Sequence, residues 1–289
     1  MAEWIAKAAT QTEERETPKE KTGEPTMVYS DEDIEHDLNK KNLVEAKICC
    51  LVYGSDGTGK TGISIDFLSK KDVEDGKTIF VIDLDGNASA LITSYHSDKI
   101  DNIKYINPMT TKETEQGTMV DYVMTFAKIK AVCRYIRKNH EQQKIKAVIF
   151  DGLSTLLKYA ENQMRLEKHI AADGGVQLIY WKSRNDKFSD VLIQMRSLPI
   201  AKFFVAHEDF IVKTDKELSA IKSWVGQIAL QKLRCVREDT KDTVVFTTIM
   251  DKSKYNVKSE GKVFNFCTVT KRTGEVQWKT EDIFRGMTQ

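Results

Sequence analysis

Short apolar runs alternate with longer helical stretches along the middle of the chain. The runs are apolar and rich in β-branched or aromatic residues, as expected of strands buried on both faces of a sheet, and lie at 47–53, 78–83, 103–106, 146–150 and 201–206. Helical stretches are predicted near 60–71, 87–96, 118–139, 153–170 and 177–197. This alternation predicts an α/β fold with a mainly parallel sheet flanked by helices.

The pattern changes after residue 209. A helical segment is predicted around 216–234, and strands follow at 243–249, 262–269 and 275–278. We expect these late strands to be antiparallel and to extend the same sheet. The sequence shows no domain boundary between the two parts.

The first 27 residues are rich in Glu, Lys and Thr and contain two prolines, which predicts a largely disordered tail. The apolar segment Trp4-Ile5-Ala6 interrupts the tail and either docks on a neighbouring subunit or frays. Residues 30–33, Ser-Asp-Glu-Asp, are typical of a helix N-cap with an acidic first turn. Residues 28–289 are therefore predicted to form one domain with a helical lead-in and a C-terminal β extension.

Composition narrows the class of protein. With 289 residues and a net charge of +1, the chain can form one large domain, and its bulk charge does not indicate a nucleic-acid partner. No apolar run approaches the roughly 18–20 residues of a membrane span, and the N-terminus is too acidic and polar for a signal peptide. Five scattered cysteines without a C-x-x-C pair predict buried, reduced thiols in a cytoplasmic protein rather than a metal site.

Residues 54–61, Gly-Ser-Asp-Gly-Thr-Gly-Lys-Thr, carry the strongest chemical signal. They follow the first predicted strand and fit the G-x-x-x-x-G-K-[ST] phosphate-binding pattern, in which Lys60 reaches the β- and γ-phosphates and Thr61 binds Mg²⁺. The glycines let backbone N–H groups surround an anion, and the following helix adds its positive dipole end. The alternative is a glycine turn without a ligand. The predicted nucleotide-binding residues are Gly54, Ser55, Asp56, Gly57, Thr58, Gly59, Lys60, Thr61 and Gly62.

Polar residues end three other predicted strands. Asp151 is predicted to hold the Mg²⁺ side of the site, or alternatively to cap the next helix. Asp85 is predicted to orient the attacking water, while Asp83 either caps the next turn or supports the metal site. His207, followed by Glu208, is predicted to sense the γ-phosphate, with a hydrogen-bonded structural histidine as the alternative.

These pieces, in this order, resemble the RecA-like P-loop ATPases, and among them the compact phage and prokaryotic proteins associated with single-strand annealing and recombination. Residues 82–85, Ile-Asp-Leu-Asp, are similar to the family's Ile-Asp-x-Glu. Residues 151–156, Asp-Gly-Leu-Ser-Thr-Leu, are similar to its Asp-Ser-Leu-x-x-Leu. Residues 181–184, Trp-Lys-Ser-Arg, resemble the phage group's Trp-x-x-x-Arg-like helix. The likeness covers roughly residues 45–270.

The resemblance implies an Mg-ATP-dependent ATPase that forms a homo-oligomer with nucleotide at the subunit boundaries. Lys252 and Lys254 resemble the family's basic pair, which reaches the nucleotide of the adjacent subunit. Cations supplied in trans also stabilise phosphoryl transfer in general, whereas the alternative is a solvated basic turn. Because Asp85 is one methylene shorter than the family's Glu, we expect slow turnover.

The resemblance also implies that single-stranded DNA binds along two loops. The first, at 171–175, is flanked by Arg165, Lys168 and His169, with Tyr180 and Trp181 either stacking on bases or packing in the core. The second, at 209–224, contains Lys213, Lys216, Lys222 and Trp224, although acidic residues dilute the positive charge of both loops. The implied function is recombination or replication in the cytoplasm, which is the host cytoplasm if the protein is viral. The alternative is a nucleotide-dependent switch or a viral motor with little turnover.

Overall fold

The computed structural model describes residue 35 and residues 48–115, 117–171, 173–208 and 229–288. All but residue 35 lie in one compact unit, Glu45–Gln289. The tail predicted at 1–27, the N-cap predicted at 30–33 and the loop predicted at 209–224 lie outside the described residues.

The described residues form eleven strands. They are β1 (Cys49–Gly54), β2 (Thr78–Asp83), β3 (Ile103–Ile106), β4 (Thr111–Thr114), β5 (Gly117–Val120), β6 (Ile145–Asp151), β7 (Ala201–His207), β8 (Gln231–Asp239), β9 (Thr243–Ser253), β10 (Val263–Thr270) and β11 (Val276–Trp278).

Six of the helices lie between the strands of the first part of the sheet, and a seventh follows the last strand. They are α1 (Lys60–Ile65), α2 (Lys70–Glu74), α3 (Ala88–Tyr95), α4 (Tyr122–Asn139), α5 (Leu153–Glu167), α6 (Trp181–Arg196) and α7 (Glu281–Thr288). Three short 3₁₀ helices lie at Ser97–Asn102, Leu178–Tyr180 and Val257–Ser259.

One nine-stranded sheet has the order β11-β10-β9-β8-β1-β7-β6-β2-β3, and β4 and β5 form a separate hairpin. The six strands from β8 to β3 run parallel to their neighbours. β9, β10 and β11 continue the sheet in antiparallel pairs. The predicted fold class, a mainly parallel sheet with antiparallel C-terminal strands, is therefore confirmed.

Each face of the sheet carries its own apolar core. Leu51 of β1 belongs to one core, while its neighbours Cys50 and Val52 belong to the other, because successive side chains of a strand point to opposite faces. Helices α4, α5 and α6 cover the first face, and α1, α3 and α7 cover the second. All five cysteines are buried free thiols, as predicted. None of the helices in the described ranges has the length and apolar character of a membrane span.

Local capping corrects two predicted helices. The helix predicted at 60–71 is divided, because Asp66 closes α1 and Ser69 starts α2 with a reciprocal capping box to Asp72. The helix predicted at 118–139 begins only after Asp121, whose side chain accepts a hydrogen bond from the backbone N–H of Met124. The residues before it belong to the β4–β5 hairpin, which the sequence analysis did not predict.

The helix predicted around 216–234 is wrong at its C-terminal end. Residues 231–234 begin β8, and the rest of that prediction lies largely outside the described residues. The buried positions alternate along β8, with Gln231, Leu233 and Cys235 buried and the residues between them half-buried. That period-2 pattern is typical of a strand, and β8 pairs with β1 in parallel.

A row of aromatic rings crosses the antiparallel strands on the α1 side of the sheet. Phe246 and Phe266 have ring centroids 6.2 Å apart, Phe266 stacks on Trp278 at 6.3 Å, and Trp278 lies 4.7 Å from the His96 ring. Both ring nitrogens of His96 and Nε1 of Trp278 are buried without a hydrogen-bond partner. Burial lowers the pKa of His96 to about 3, since charging an unpaired ring there would be costly.

We expect His96 to make unfolding easier in acid. Below its ordinary pKa of 6.5, the unfolded chain binds a proton that the native state rejects, so stability falls as the pH falls. Between about pH 7.5 and about pH 5, the wild type should lose about 2 kcal/mol of unfolding free energy more than His96→Leu does. Urea unfolding of both proteins at the two pH values measures this difference. Equal losses would contradict the assignment.

Candidate nucleotide site

The phosphate-binding loop follows β1 directly and is built mostly from backbone. Gly57 and Gly59 have φ values of 69° and 78°, in the left-handed region that favours glycine. Gly59 is also the N-cap of α1, with no side-chain cap. The first N–H groups of α1 are therefore left for another acceptor, as an anion-binding helix start requires.

Lys60 folds back on its own loop. Its Nζ donates to the carbonyl oxygen of Ser55 at 2.6 Å, and the Thr58 hydroxyl donates to the same oxygen at 2.8 Å. Burial lowers the pKa of Lys60 from its ordinary value, since a buried ammonium group loses its hydration. A polyphosphate in the loop would replace the Ser55 carbonyl with a stronger acceptor for this cation.

The loop and α1 lie so close to the C-terminal strands that three glycines have no room for a side chain. A Cβ on Gly54 would lie 2.3 Å from the carbonyl oxygen of Cys235, and one on Gly62 would lie 2.5 Å from Trp278. A Cβ on Gly59 would lie 3.1 Å from Phe266. Strands β8, β10 and β11 therefore pack directly against the phosphate loop and α1.

Thr61 and Asp151, which were each predicted to lie on the Mg²⁺ side of the site, are in direct contact. The Thr61 hydroxyl donates to the Asp151 carboxylate at 2.6 Å, and burial raises the pKa of Asp151 to about 6. The helix after β6 is capped by Gly152, so the alternative role of Asp151 as its N-cap does not apply. No group of three or more His, Cys, Asp or Glu side chains in the described residues could hold a metal. The two oxygen donors fit Mg²⁺, which usually takes one or two carboxylates, several waters and substrate phosphates.

Asp85 and His207, predicted from different strands, form a direct pair. The His207 Nε2 lies 2.9 Å from Asp85 Oδ2, and the Thr155 hydroxyl donates to the other Asp85 oxygen. Burial acts to raise the pKa of Asp85, but the hydrogen bonds from His207 and Thr155 outweigh it and hold the pKa below its ordinary value. Asp85 is therefore ionised and fully engaged in this state. Thr155 was not singled out in the sequence analysis, although it stands in the quoted segment 151–156.

Two departures from the family pattern face each other. Gly152 stands where the family has Ser, and Asp85 stands where it has Glu. Gly152 has a φ of 102°, and a Cβ there would lie 2.8 Å from Oδ1 of Asp85. The glycine thus makes room for the Asp85 carboxylate next to the first turn of α5.

Asp83 has a structural role. One of its carboxylate oxygens accepts from the Gly86 N–H at 2.8 Å, and the other accepts from the Ala88 N–H at 2.9 Å. It therefore caps the turn that starts α3, which was one of its two predicted roles. Tyr105 also donates to Asp83, at 3.2 Å.

Lys252 and Lys254 are not brought to the loop of their own subunit. Gly54 pairs with Cys235 near the middle of β8, whereas Lys252 pairs with Lys232 at the start of β8. Since β8 runs parallel to β1, the two lysines lie toward the N-terminal end of β1. The phosphate-binding loop follows the opposite, C-terminal end of β1.

In the first predicted DNA loop, Arg165 has a structural role. Its side chain donates to the carbonyl oxygens of Ala171 and Gly174 at 3.1 and 2.9 Å, which ties the loop to α5. The neighbouring side chains are more open, with Leu178 88% and Ile179 75% exposed. Lys168 lies 5.7 Å from the centre of the Tyr180 ring. All residues singled out in the second predicted loop lie outside the described ranges.

One cation beside the loop was missed. An Nη atom of Arg237 lies 3.6 Å from the position that a Cβ on Gly57 would take. Arg237 belongs to β8, so recognising that strand and its pairing with β1 is what places the side chain here. The sequence spacing between residues 57 and 237 carries no signal of this contact.

The chain is similar to known proteins in two comparisons. A family described as "ATPase: KaiC" matches residues 36–202, a region that contains the loop, Asp85 and Asp151 and ends before His207. Among solved structures, a KaiC-like protein from the hyperthermophilic archaeon Pyrococcus horikoshii OT3 matches with 14% identity, a TM-score of 0.46, and coverage of 75% of this chain and 84% of that chain. No curated protein matches.

We expect Gly62→Ala to destabilise the protein even though alanine favours a helix. The added methyl would overlap Trp278, and such overpacking costs about 1–3 kcal/mol against roughly 1 kcal/mol gained in helix propensity. Trp278→Leu should cost less in the Gly62→Ala background than alone. Urea unfolding of the two single variants and the double variant measures this coupling. Additive effects, or a more stable Gly62→Ala, would contradict the close packing of α1 on β11.

Proposed function

Because the chain belongs to the KaiC family of ATPases, we propose that it is a magnesium-dependent ATPase that hydrolyses ATP slowly alone and faster in an assembly on single-stranded DNA. The observation that carries the ATPase part is the 2.6 Å contact between Thr61 and Asp151 at the start of the phosphate-binding helix. A hydroxyl and a buried carboxylate in contact at that place are the oxygen pair that an Mg²⁺-nucleotide site needs.

In this proposal, residues of the loop bind the nucleotide phosphates, and residues at the ends of the neighbouring strands orient the attacking water. Lys60 leaves the Ser55 carbonyl for the β- and γ-phosphates, while Thr61 and Asp151 are the residues that would hold Mg²⁺, and a bound Mg²⁺ would supply neutralisation of phosphate charge. The γ-phosphate draws His207 away from Asp85, which frees one carboxylate oxygen to orient the attacking water. Water attacks phosphorus as the bond to the leaving ADP oxygen breaks, and orthophosphate leaves with the proton released to solvent.

Slow turnover by the isolated chain follows from two features of Asp85. Its carboxylate is one methylene shorter than the family's Glu, and in the resting state the hydrogen bonds that lower its pKa occupy both of its oxygens. The hydrogen bonds from His207 and Thr155 must also be exchanged before it can act. The same features favour the second candidate function, a nucleotide-dependent switch in which binding matters more than turnover.

The positions of Lys252 and Lys254 support an assembly with nucleotide at subunit boundaries. They lie at the opposite end of the strands from the loop of the same chain, so any role at a nucleotide would have to be at that of another copy. Cations supplied by a neighbour stabilise the charge of the phosphoryl-transfer transition state and make hydrolysis depend on assembly.

We expect two inactive variants to restore activity when they are mixed. Lys60→Ala should lose nucleotide binding, whereas Lys252→Ala/Lys254→Ala should bind Mg-ATP normally and not hydrolyse it. In an equal random mixture, about one quarter of the boundaries would join an intact loop to intact lysines, so ATPase activity should return to about that fraction of wild type. A phosphate-release assay measures it.

Lys70→Ala/Lys71→Ala is the matched control, because these adjacent lysines are exposed on α2. It should remain as active as the wild type. Mixtures without any recovery, from variants that still assemble, would rule out the lysine pair. A wild type that binds Mg-ATP but never hydrolyses it would favour the switch.

Single-stranded DNA is the proposed polymer because of the surface around the first predicted loop. Leu178 and Ile179 are exposed there, and Lys168 lies over the Tyr180 ring. Cations next to flat or apolar side chains are what sequence-tolerant binding of single strands requires, since every base can stack.

We expect single-stranded DNA to stimulate ATP hydrolysis severalfold at low salt, and we expect the effect to fade as salt displaces the phosphate contacts. Tyr180→Ala/Lys168→Ala should abolish the stimulation and leave the basal rate unchanged, because neither residue lies at the nucleotide site. Duplex DNA of the same sequence serves as the control. Equal stimulation by the duplex, or none by either polymer, would contradict the single-strand assignment.

A further inference from the structure

Arg237 brings a cation from β8 to the tip of the phosphate loop. It lies two residues beyond Cys235, which pairs with Gly54 at the end of β1. Residues two apart in a strand share a face, so Arg237 lies on the same face as Cys235, the face that packs against α1. One Nη atom reaches to within 3.6 Å of the Cβ position at Gly57.

The guanidinium is held in place by one carboxylate. Its Nε and Nη2 donate to the two oxygens of Asp239 at 2.8 and 3.2 Å. Lys271 approaches Asp239 as well, at 3.3 Å. The Arg237 guanidinium also lies 6.0 Å from the ring centre of Phe246, one of the rings under Gly59. These contacts hold the side chain beside the loop, although nearly half of it remains exposed to solvent.

The pair with Asp239 is suited to exchange. Both side chains are nearly half exposed, at 43% and 47%, and ion pairs in such settings contribute little to stability. A polyphosphate carries more charge than one carboxylate, and the planar fork of arginine matches phosphate oxygens in a bidentate way. Lys271 remains as a partner for Asp239 after Arg237 leaves.

We propose that Arg237 is a nucleotide-binding residue that exchanges Asp239 for the polyphosphate chain of the nucleotide held by the loop of the same subunit. This inference rests on the proposed ATP-binding function of the loop. It adds a cation from the same chain, distinct in position and origin from Lys252 and Lys254, and it connects β8 directly with the ligand.

Calorimetric titration with Mg-ATP tests the assignment. Arg237→Ala should weaken binding about tenfold or more, as expected for loss of a hydrogen-bonded charge on phosphate. Arg237→Lys should recover part of the loss, since it keeps the charge but not the fork. Arg134→Ala, which removes an exposed arginine on α4, is the matched control and should bind like the wild type. Affinity of folded Arg237→Ala within twofold of the wild type would overturn the proposal.

Asp239 supplies the second arm of the experiment. Asp239→Asn replaces the charged, two-oxygen acceptor of Arg237 with a neutral amide that holds it more weakly, so it should tighten Mg-ATP binding by a few fold when Arg237 is present. In the Arg237→Ala background the same change should have no effect. An equal tightening in both backgrounds would mean that Asp239 acts only through its own charge, and the exchange would be wrong.

Failure of this inference can be told apart from failure of the proposed function. If the wild type shows no heat with Mg-ATP, the ATP-binding function itself is refuted, and Arg237 with it. If the wild type binds and Lys60→Ala does not, the loop is a nucleotide site. An unaffected Arg237→Ala then refutes only the role of this arginine.

Discussion

The close approach of the phosphate loop to the antiparallel strands constrains the rest of the site. At Gly54, Gly59 and Gly62, a single added carbon would meet a backbone oxygen or an aromatic ring. With that contact in place, the loop has few conformations left, and the start of α1 is fixed relative to β1. Thr61 can then meet Asp151 at 2.6 Å without any further adjustment of the backbone. The conformation of the loop is thus constrained by packing from below as well as by the hydrogen bonds within the loop.

Local patterns were enough to predict five of the six parallel strands and the loop. The strands β1, β2, β3, β6 and β7 were placed within a residue or two. In the buried strands β1, β2, β6 and β7 the reason is a continuous apolar run that ends at polar residues. The glycine spacing of 54–61 identified the anion cradle for the same reason, since the chemistry resides in neighbouring residues. Asp85 and His207 were each found as strand-end residues, but their pairing at 2.9 Å needed the sheet order.

Other features depend on contacts between distant parts of the chain and were missed. β8 carries alternating apolar and polar residues after a segment that is compatible with a helix, so its strand character is set by pairing with β1 and β9. Gly62 has an ordinary helical conformation, and only the ring of Trp278 explains why it bears no side chain. The helix boundaries at Ser69 and Asp121 were missed although their cause is local: each side chain accepts a hydrogen bond from a backbone N–H three residues later and starts a helix there.

The aromatic rings that pack against the phosphate loop and α1 determine how long a fragment of this chain must be to keep the loop supported. The region that matches the family ends at residue 202, whereas the rings beneath Gly59 and Gly62 come from residues 246, 266 and 278. A fragment limited to the matched region would keep the whole phosphate-binding motif, but the face of α1 that packs on these rings would be exposed to water. Swapping or shortening the C-terminal strands would in the same way alter nucleotide handling without touching a signature residue. For this chain, the residues that pack against the phosphate loop thus extend well beyond the region that matches the family.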